Sequence, residues 1–216
     1  MTLRVLPPDE IIPTARIIFG IEDDVASTCS PTPGVNNLGF LTNLAMGSAT
    51  ARRILEQLNS NPRHVSVCFV QGGGDDVKSI YDATHLTCVI RTDLKYRLTE
   101  YPGVVLMDRR ILTFHELGHA VQHVVLRSED GGPLNEFLTR ASIQLKDFTG
   151  TVSNTVVHPR TGVESVKTKT VKLSSYESYH FDYHLEMNNL RLHEWPMSRE
   201  LHLPIRSTYK DLAVQP

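Results

Sequence analysis

Two histidines with a glutamate between them, in the run His115-Glu116-Leu117-Gly118-His119, are the residues of this chain best suited to chemistry. On a helix, side chains four apart lie one above the other, so His115 and His119 can present their imidazoles to a single ion. Glu116 projects about 100° round the helix from His115, beside such an ion and not on it. A carboxylate there can take the proton of an attacking water, the task of a general base in metal-assisted hydrolysis. The ion that suits two imidazoles and one carboxylate, with a position left open for water, is Zn²⁺.

The flanking residues place this pattern on a buried helix. Ile111, Leu112, Phe114, Leu117, Ala120, Val121, Val124 and Val125 make it apolar round most of its circumference. A buried helix does not carry two His and a Glu into a core without partners for them; the alternative is a surface helix on which all three are solvated. Gly118 weakens a helix by about 1 kcal/mol relative to Ala, which points to a backbone or a substrate passing close to it. His123 lies one step further on, about 12 Å from His115 by helical rise, too far to share an ion through bonds of about 2 Å. Val125 and Gln122 stand where the metzincin pattern requires His and Gly, so that class is excluded and the third ligand comes from elsewhere.

Ser174 to His193 predicts a helix on which Tyr176, Tyr179, Tyr183, Glu186 and Leu190 form one stripe. A carboxylate in such a face is costly unless a cation offsets it, which makes Glu186 the preferred third ligand. In the competing reading it sits at the stripe's edge, in water or paired with Arg191. Glu164, Glu177 and Glu194 remain alternative ligands. Arg206 and Tyr209, three apart and so on one side if helical, could donate hydrogen bonds to an oxyanion as it forms. A surface salt bridge and a Tyr covering the core would leave the same spacing.

The elements that must position these groups read as follows. Residues 1–36, punctuated by Pro7, Pro8, Pro13, Pro31 and Pro33, are expected to be an irregular, loosely attached arm. Leu38 to Leu58 reads as helix, Val65 to Val70 and Leu86 to Ile90 as strands, and Gly72-Gly73-Gly74-Asp75-Asp76 as a turn, since no G-K-[ST] follows to make it a phosphate loop. Ser128 to Pro133 stops the central helix. Thr151 to Val157 and Val163 to Val171 read as a hairpin about Pro159 and Gly162. Two or three strands followed by the H-E-x-x-H helix predict an α+β domain over 37–216. That order is the one expected of a zincin-like metallopeptidase, with a small mixed sheet packed on that helix and an edge strand lining the substrate groove.

Composition narrows the partners. At 216 residues the chain suits one domain with a real core. A net charge of −2 without any Lys/Arg cluster argues against nucleic acid, and no run approaches the roughly 20 apolar residues of a membrane span. Three cysteines form no metal-type pair and no disulfide framework, which fits a reducing environment. Arg4, Pro7, Pro8, Asp9 and Glu10 break any signal-peptide core, so export, if it occurs, is expected by a route other than general secretion.

The run Leu192-His193-Glu194-Trp195-Pro196-Met197-Ser198-Arg199-Glu200-Leu201-His202-Leu203-Pro204-Ile205-Arg206-Ser207-Thr208-Tyr209, with Phe114 to Ala120, resembles the effector zinc metallopeptidases that pathogenic bacteria inject by type III secretion. There a Glu precedes an R-E-L-G-L-P-like stretch and then R-x-x-Y; Arg199 to Pro204 and Arg206 to Tyr209 stand in those places. Clostridial neurotoxin light chains have a similar ending, with a Glu twelve residues before the Arg, and here 206 − 194 = 12. The match covers two segments, about a tenth of the chain. These families take their third zinc ligand from an E-E-x-R-T-like motif, which is not found cleanly here. Glu164-Ser165-Val166-Lys167-Thr168 imitates it within the hairpin.

The resemblance implies that Glu194 supports the site without binding metal. It also implies a monomeric endopeptidase, delivered into the host cytoplasm, with a host protein as substrate. Because the family includes a member that cleaves stress-activated kinases, signalling kinases are the first candidates. The rival expectation is a zinc-stabilised module that sequesters a host protein without cutting it, although a purely structural zinc site has no use for Glu116.

Overall fold

Val65 to Val70 is apolar at nearly every position, as a strand covered on both faces must be. In the computed structural model, which describes residues 2–35, 38–99, 101, 103–127, 134, 151–157, 164–170, 184–206 and 212–215, it forms β3 (Val65–Gln71). Only the backbone is described in 151–157, 164–170 and 212–215. On one side β3 takes β1 (Leu3–Val5) in parallel and, near its far end, the short β2 (Ser30–Pro31) antiparallel. On the other it takes β5 (Thr87–Arg91) in parallel, and β4 (Ile80–Asp82) closes the edge antiparallel to β5. The protein is thus mixed α+β with a small open sheet.

Alternation along the strands divides the core in two. Val65, Val67, Phe69, Cys88 and Ile90 pack with Leu41 and Leu44 of α3 (Leu38–Leu44), Ile54 and Leu58 of α4 (Ala49–Ser60), and Ile111, Phe114 and Leu117 of α5 (Arg109–Ala120). Cys68, Val70 and Val89 face the other way, onto Leu6, Cys29, Val77 and Ile11 of α1 (Pro8–Phe19), which is followed by the short α2 (Asp23–Ser27).

Residues 2–35 therefore do not form the irregular arm that the sequence led us to expect over 1–36, and β1 and β2 join the sheet across the expected boundary at 36. The prolines misled that reading. Pro8 occupies the first turn of α1, where its missing N–H costs nothing, and the full burial of Ile11 and Ala15 offsets Pro13 within the helix. Strands of two or three residues are too short to show alternation, so among the described residues six precede α5 where two or three were expected. The helix expected over 38–58 is two helices, parted where Gly47 takes φ +84° and Ser48 caps α4 by accepting from the Ala51 N–H at 3.0 Å.

The central helix starts at Asp108, whose carboxylate accepts from the Arg110 N–H at 2.8 Å, and it continues past Ala120 into a π-helical turn, Val121–Val125. A second helical stretch crosses it: α6 (184–189), a π turn (Leu190–Glu194) and α7 (Trp195–Glu200). α7 ends in a Schellman motif, with Leu203 N–H to Ser198 O at 2.8 Å and His202 N–H to Arg199 O at 3.2 Å. His202, standing where the resembled pattern has Gly, takes φ +54°.

Glu200 docks this stretch on the core. Its carboxylate accepts from the Ser48 hydroxyl (2.5 Å), the Thr50 N–H (3.1 Å) and the Thr50 hydroxyl (2.9 Å) at the N-terminus of α4. The two strands of the expected hairpin pair antiparallel as β7 (Thr151–Val157) and β8 (Glu164–Thr170), the turn about Pro159 and Gly162 lying outside the described residues, and β6 (Lys95–Leu98) pairs with β9 (Leu212–Gln215). Among the described residues no helix is long and apolar enough to cross a membrane.

Candidate metal centre

Residues Ile111 to Gly118 are all buried, His115 and Glu116 at 7% exposure each, while His119 opens towards solvent. The four-residue spacing brings the His115 and His119 Nε2 atoms to 3.2 Å, with the rings perpendicular. Glu186, on α6, completes a triangle: Oε2 is 3.4 Å from His115 Nε2 and Oε1 is 3.2 Å from His119 Nε2. One ligand atom from each of the three residues lies within 4.8 Å of the others. Comparison with known protein families, curated sequences and solved structures gave no match.

The far side of each imidazole fixes what the near side offers. Gln122 Nε2 donates to Leu185 O at 2.9 Å and to Asn188 Oδ1 at 2.8 Å, which turns its Oε1 towards His119 Nδ1, 2.9 Å away. His119 must then carry its proton on Nδ1 and leave the Nε2 lone pair free. At His115 Nδ1 the nearest group is the Glu194 carboxylate at 3.0 Å, and it is an acceptor. Arg206 and Asn189 stand slightly further off, at 3.2 and 3.3 Å. The proton again belongs on Nδ1.

Two lone pairs and a carboxylate thus converge, and Glu186 Oε2 is buried without a hydrogen-bond donor. Such a point demands positive charge. Burial pushes the His115 imidazole down, but the Glu186 and Glu194 carboxylates outweigh burial and raise it to about 9. Burial likewise pushes Glu186 up, and the hydrogen bonds that the imidazoles would donate if protonated at Nε2 bring it well below the usual carboxylate range. A proton on His115 meets the demand in part. A divalent cation would meet it in full, and two imidazole nitrogens with one carboxylate are a donor set that fits zinc.

Glu116 lies beside this point. Its carboxyl is raised from its ordinary value, by burial first and by the Glu186 charge, against the pull of His115, His119 and a hydrogen bond from the Tyr81 main-chain N–H. Glu194 faces His115 Nδ1 at 3.0 Å and pairs with Arg206 Nε and Nη2 at 2.8 Å each. Burial would raise Glu194, and His115 and Arg206 hold it low. The Arg206 contacts lie on the Nδ1 side of His115, opposite Nε2. Through them Arg206 meets the His115 ring from behind; the sequence reading expected an oxyanion donor. The segment carrying it is tied down by Trp195 Nε1, which donates to Arg206 O at 2.8 Å, and by Tyr101, whose hydroxyl bonds Ile205 N and O.

Tyr209, Glu177 and the Tyr176, Tyr179 and Tyr183 stripe lie outside the described residues, and Glu164 is described only as backbone, in β8. Sequence reasoning missed Gln122 and Asn189. Gln122 had a readable signal, a polar residue three after His119 in an apolar run. Asn189 had none, because its role depends on how the two helices cross. Asn189 also explains Gly118: a Cβ there would meet Asn189 Oδ1 at 2.1 Å and His193 Cδ2 at 2.8 Å, so a neighbouring helix, and not a substrate, needs the space.

Proposed function

We propose that this protein is a zinc-dependent endopeptidase with a zincin-like fold, acting on a host protein. The observation that carries the reading is the convergence of His115 Nε2, His119 Nε2 and the Glu186 carboxylate, with Glu116 one residue along the same helix. Those three residues would hold the ion, which supplies, when bound, Lewis acidity towards a peptide carbonyl and towards water. Glu116 is the proton acceptor, and its burial keeps the carboxylate basic. Gln122 and Glu194 keep both ligand imidazoles in the tautomer that binds metal. The antiparallel edge strand β4 beside the helix agrees with a zincin arrangement. The host setting and type III delivery rest on the sequence resemblance.

Metal analysis joined to cleavage of a peptide library tests the reading. We expect about one zinc per chain and cleavage that chelation abolishes. Glu116→Gln should keep the zinc and lose activity by several orders of magnitude, since an amide cannot take the water's proton. Full zinc without any cleavage, together with tight binding to a host protein, would favour the sequestering module.

A further inference from the structure

His123 is too far along the helix to bind the same ion, yet its Nδ1 lies 2.8 Å from the Tyr81 hydroxyl, with the two rings 5.8 Å apart and inclined at 57°. Tyr81 therefore touches the central helix twice: its main-chain N–H donates to the Glu116 carboxylate and its phenol meets His123 in the π turn. The cross-strand partner of Tyr81 adds a third contact, for Cys88 Sγ is 3.6 Å from Glu116 O. Main chain and side chain of Glu116 are thus gripped by one pair of residues from β4 and β5.

The grip needs support on the β4 side. This strand has three residues and lies at the sheet edge, so its ladder to β5 fixes it weakly. A glutamate has three side-chain torsions, and a proton acceptor works only when its oxygen is held within hydrogen-bond reach of the reacting water. We propose that Tyr81 and His123 are positioning residues for Glu116: their side-chain link pins β4 to the π turn, so that the Tyr81 N–H holds the Glu116 carboxylate in one orientation beside His115, His119 and Glu186. The inference rests on the reading of Glu116 as the base.

Hydrogen exchange of the Tyr81 amide, followed by NMR, tests the pin without any need for activity. Tyr81→Phe, His123→Ala and Glu116→Ala should each speed exchange of that amide by at least roughly tenfold, while the β5 amides of Cys88 and Ile90, which face β3, stay protected. His123→Asn, which offers an oxygen near the position of Nδ1, should restore most of the protection. In peptide cleavage, Tyr81→Phe and His123→Ala should lower kcat about tenfold with KM within about twofold, and His123→Asn should recover it. Unchanged Tyr81 exchange in Tyr81→Phe and His123→Ala overturns the proposal, as does unchanged kcat in both. If the amide responds and the wild type cleaves nothing, the positioning of Glu116 stands and its reading as a base falls.

Discussion

Replacing Gly118 by Ala sets two opposed effects against each other, and the structure decides between them. Gly118 does not take a positive φ, so Ala is conformationally admissible and gains about 1 kcal/mol of helix propensity. Against this, the new methyl would sit 2.1 Å from Asn189 Oδ1 and 2.8 Å from His193 Cδ2, well inside contact distance. Relieving such overlap between packed helices costs about 1–3 kcal/mol. Moving Asn189 also gives up its 2.9 Å bond to His115 O, worth about another 1 kcal/mol. The net expectation is a loss of about 1–3 kcal/mol in urea unfolding, with weaker zinc binding because Asn189 also abuts His115 Nδ1. Asn189→Ala should cost less in the Gly118→Ala background than alone, since part of the overlap goes with it. A Gly118→Ala protein about 1 kcal/mol more stable than wild type, with unchanged zinc affinity, would refute the packing of α5 against the second helical stretch.

Three further outcomes can be checked. In the metal-free protein His115 is raised to about 9 from an ordinary value near 6.5, so its contribution, on the order of 3 kcal/mol, is complete below about pH 6.5 and lost as pH rises through about 9. Chelated protein unfolded in urea between pH 6 and 9.5 should show that decline, and a flat profile would remove the basis for it. Zinc affinity should move the opposite way, rising with pH as the competing proton leaves. Glu194→Ala removes the carboxylate facing both His115 and the buried Arg206; we expect a loss of about 3–5 kcal/mol in unfolding and about 10–100-fold in zinc affinity, measured by competition with a chromophoric chelator. His202→Gly relieves a left-handed residue at the end of α7 and should raise stability by up to about 1 kcal/mol in thermal melts; a loss would show that the His202 side chain has a role of its own.

What could be read in the sequence was whatever depends on spacing along one element. The His115, Glu116 and His119 arrangement follows from helical geometry, and the strand at Val65–Gln71 from a nearly unbroken apolar run. Glu186 is brought to the two histidines by a helix, although the aromatic stripe used to argue for it lies outside the described residues. What could not be read depends on contact between elements. Pro7, Pro8 and Pro13 hid a helix whose stability comes from the sheet beneath it, and three-residue β1 carries no pattern of its own. Arg206 meets Glu194 and the Nδ1 side of His115, contacts on which an Arg three before a Tyr is silent. The two π turns, each adding a residue to a helical circuit, shift phase in a way that a 3.6-residue template cannot anticipate.

The two halves of the candidate metal centre are far apart along the chain: 74 residues separate His115 from Asn189, and 91 separate it from Arg206. Closing loops of that length is entropically costly and brings no reward until both helical stretches are docked, whereas β3, β5, α4 and α5 can consolidate over shorter separations. The site is therefore expected to dock late in folding, after the rate-limiting barrier. An ion captured there would then not hasten the route to the native state; it would lengthen the native lifetime, acting as a brake on the way out.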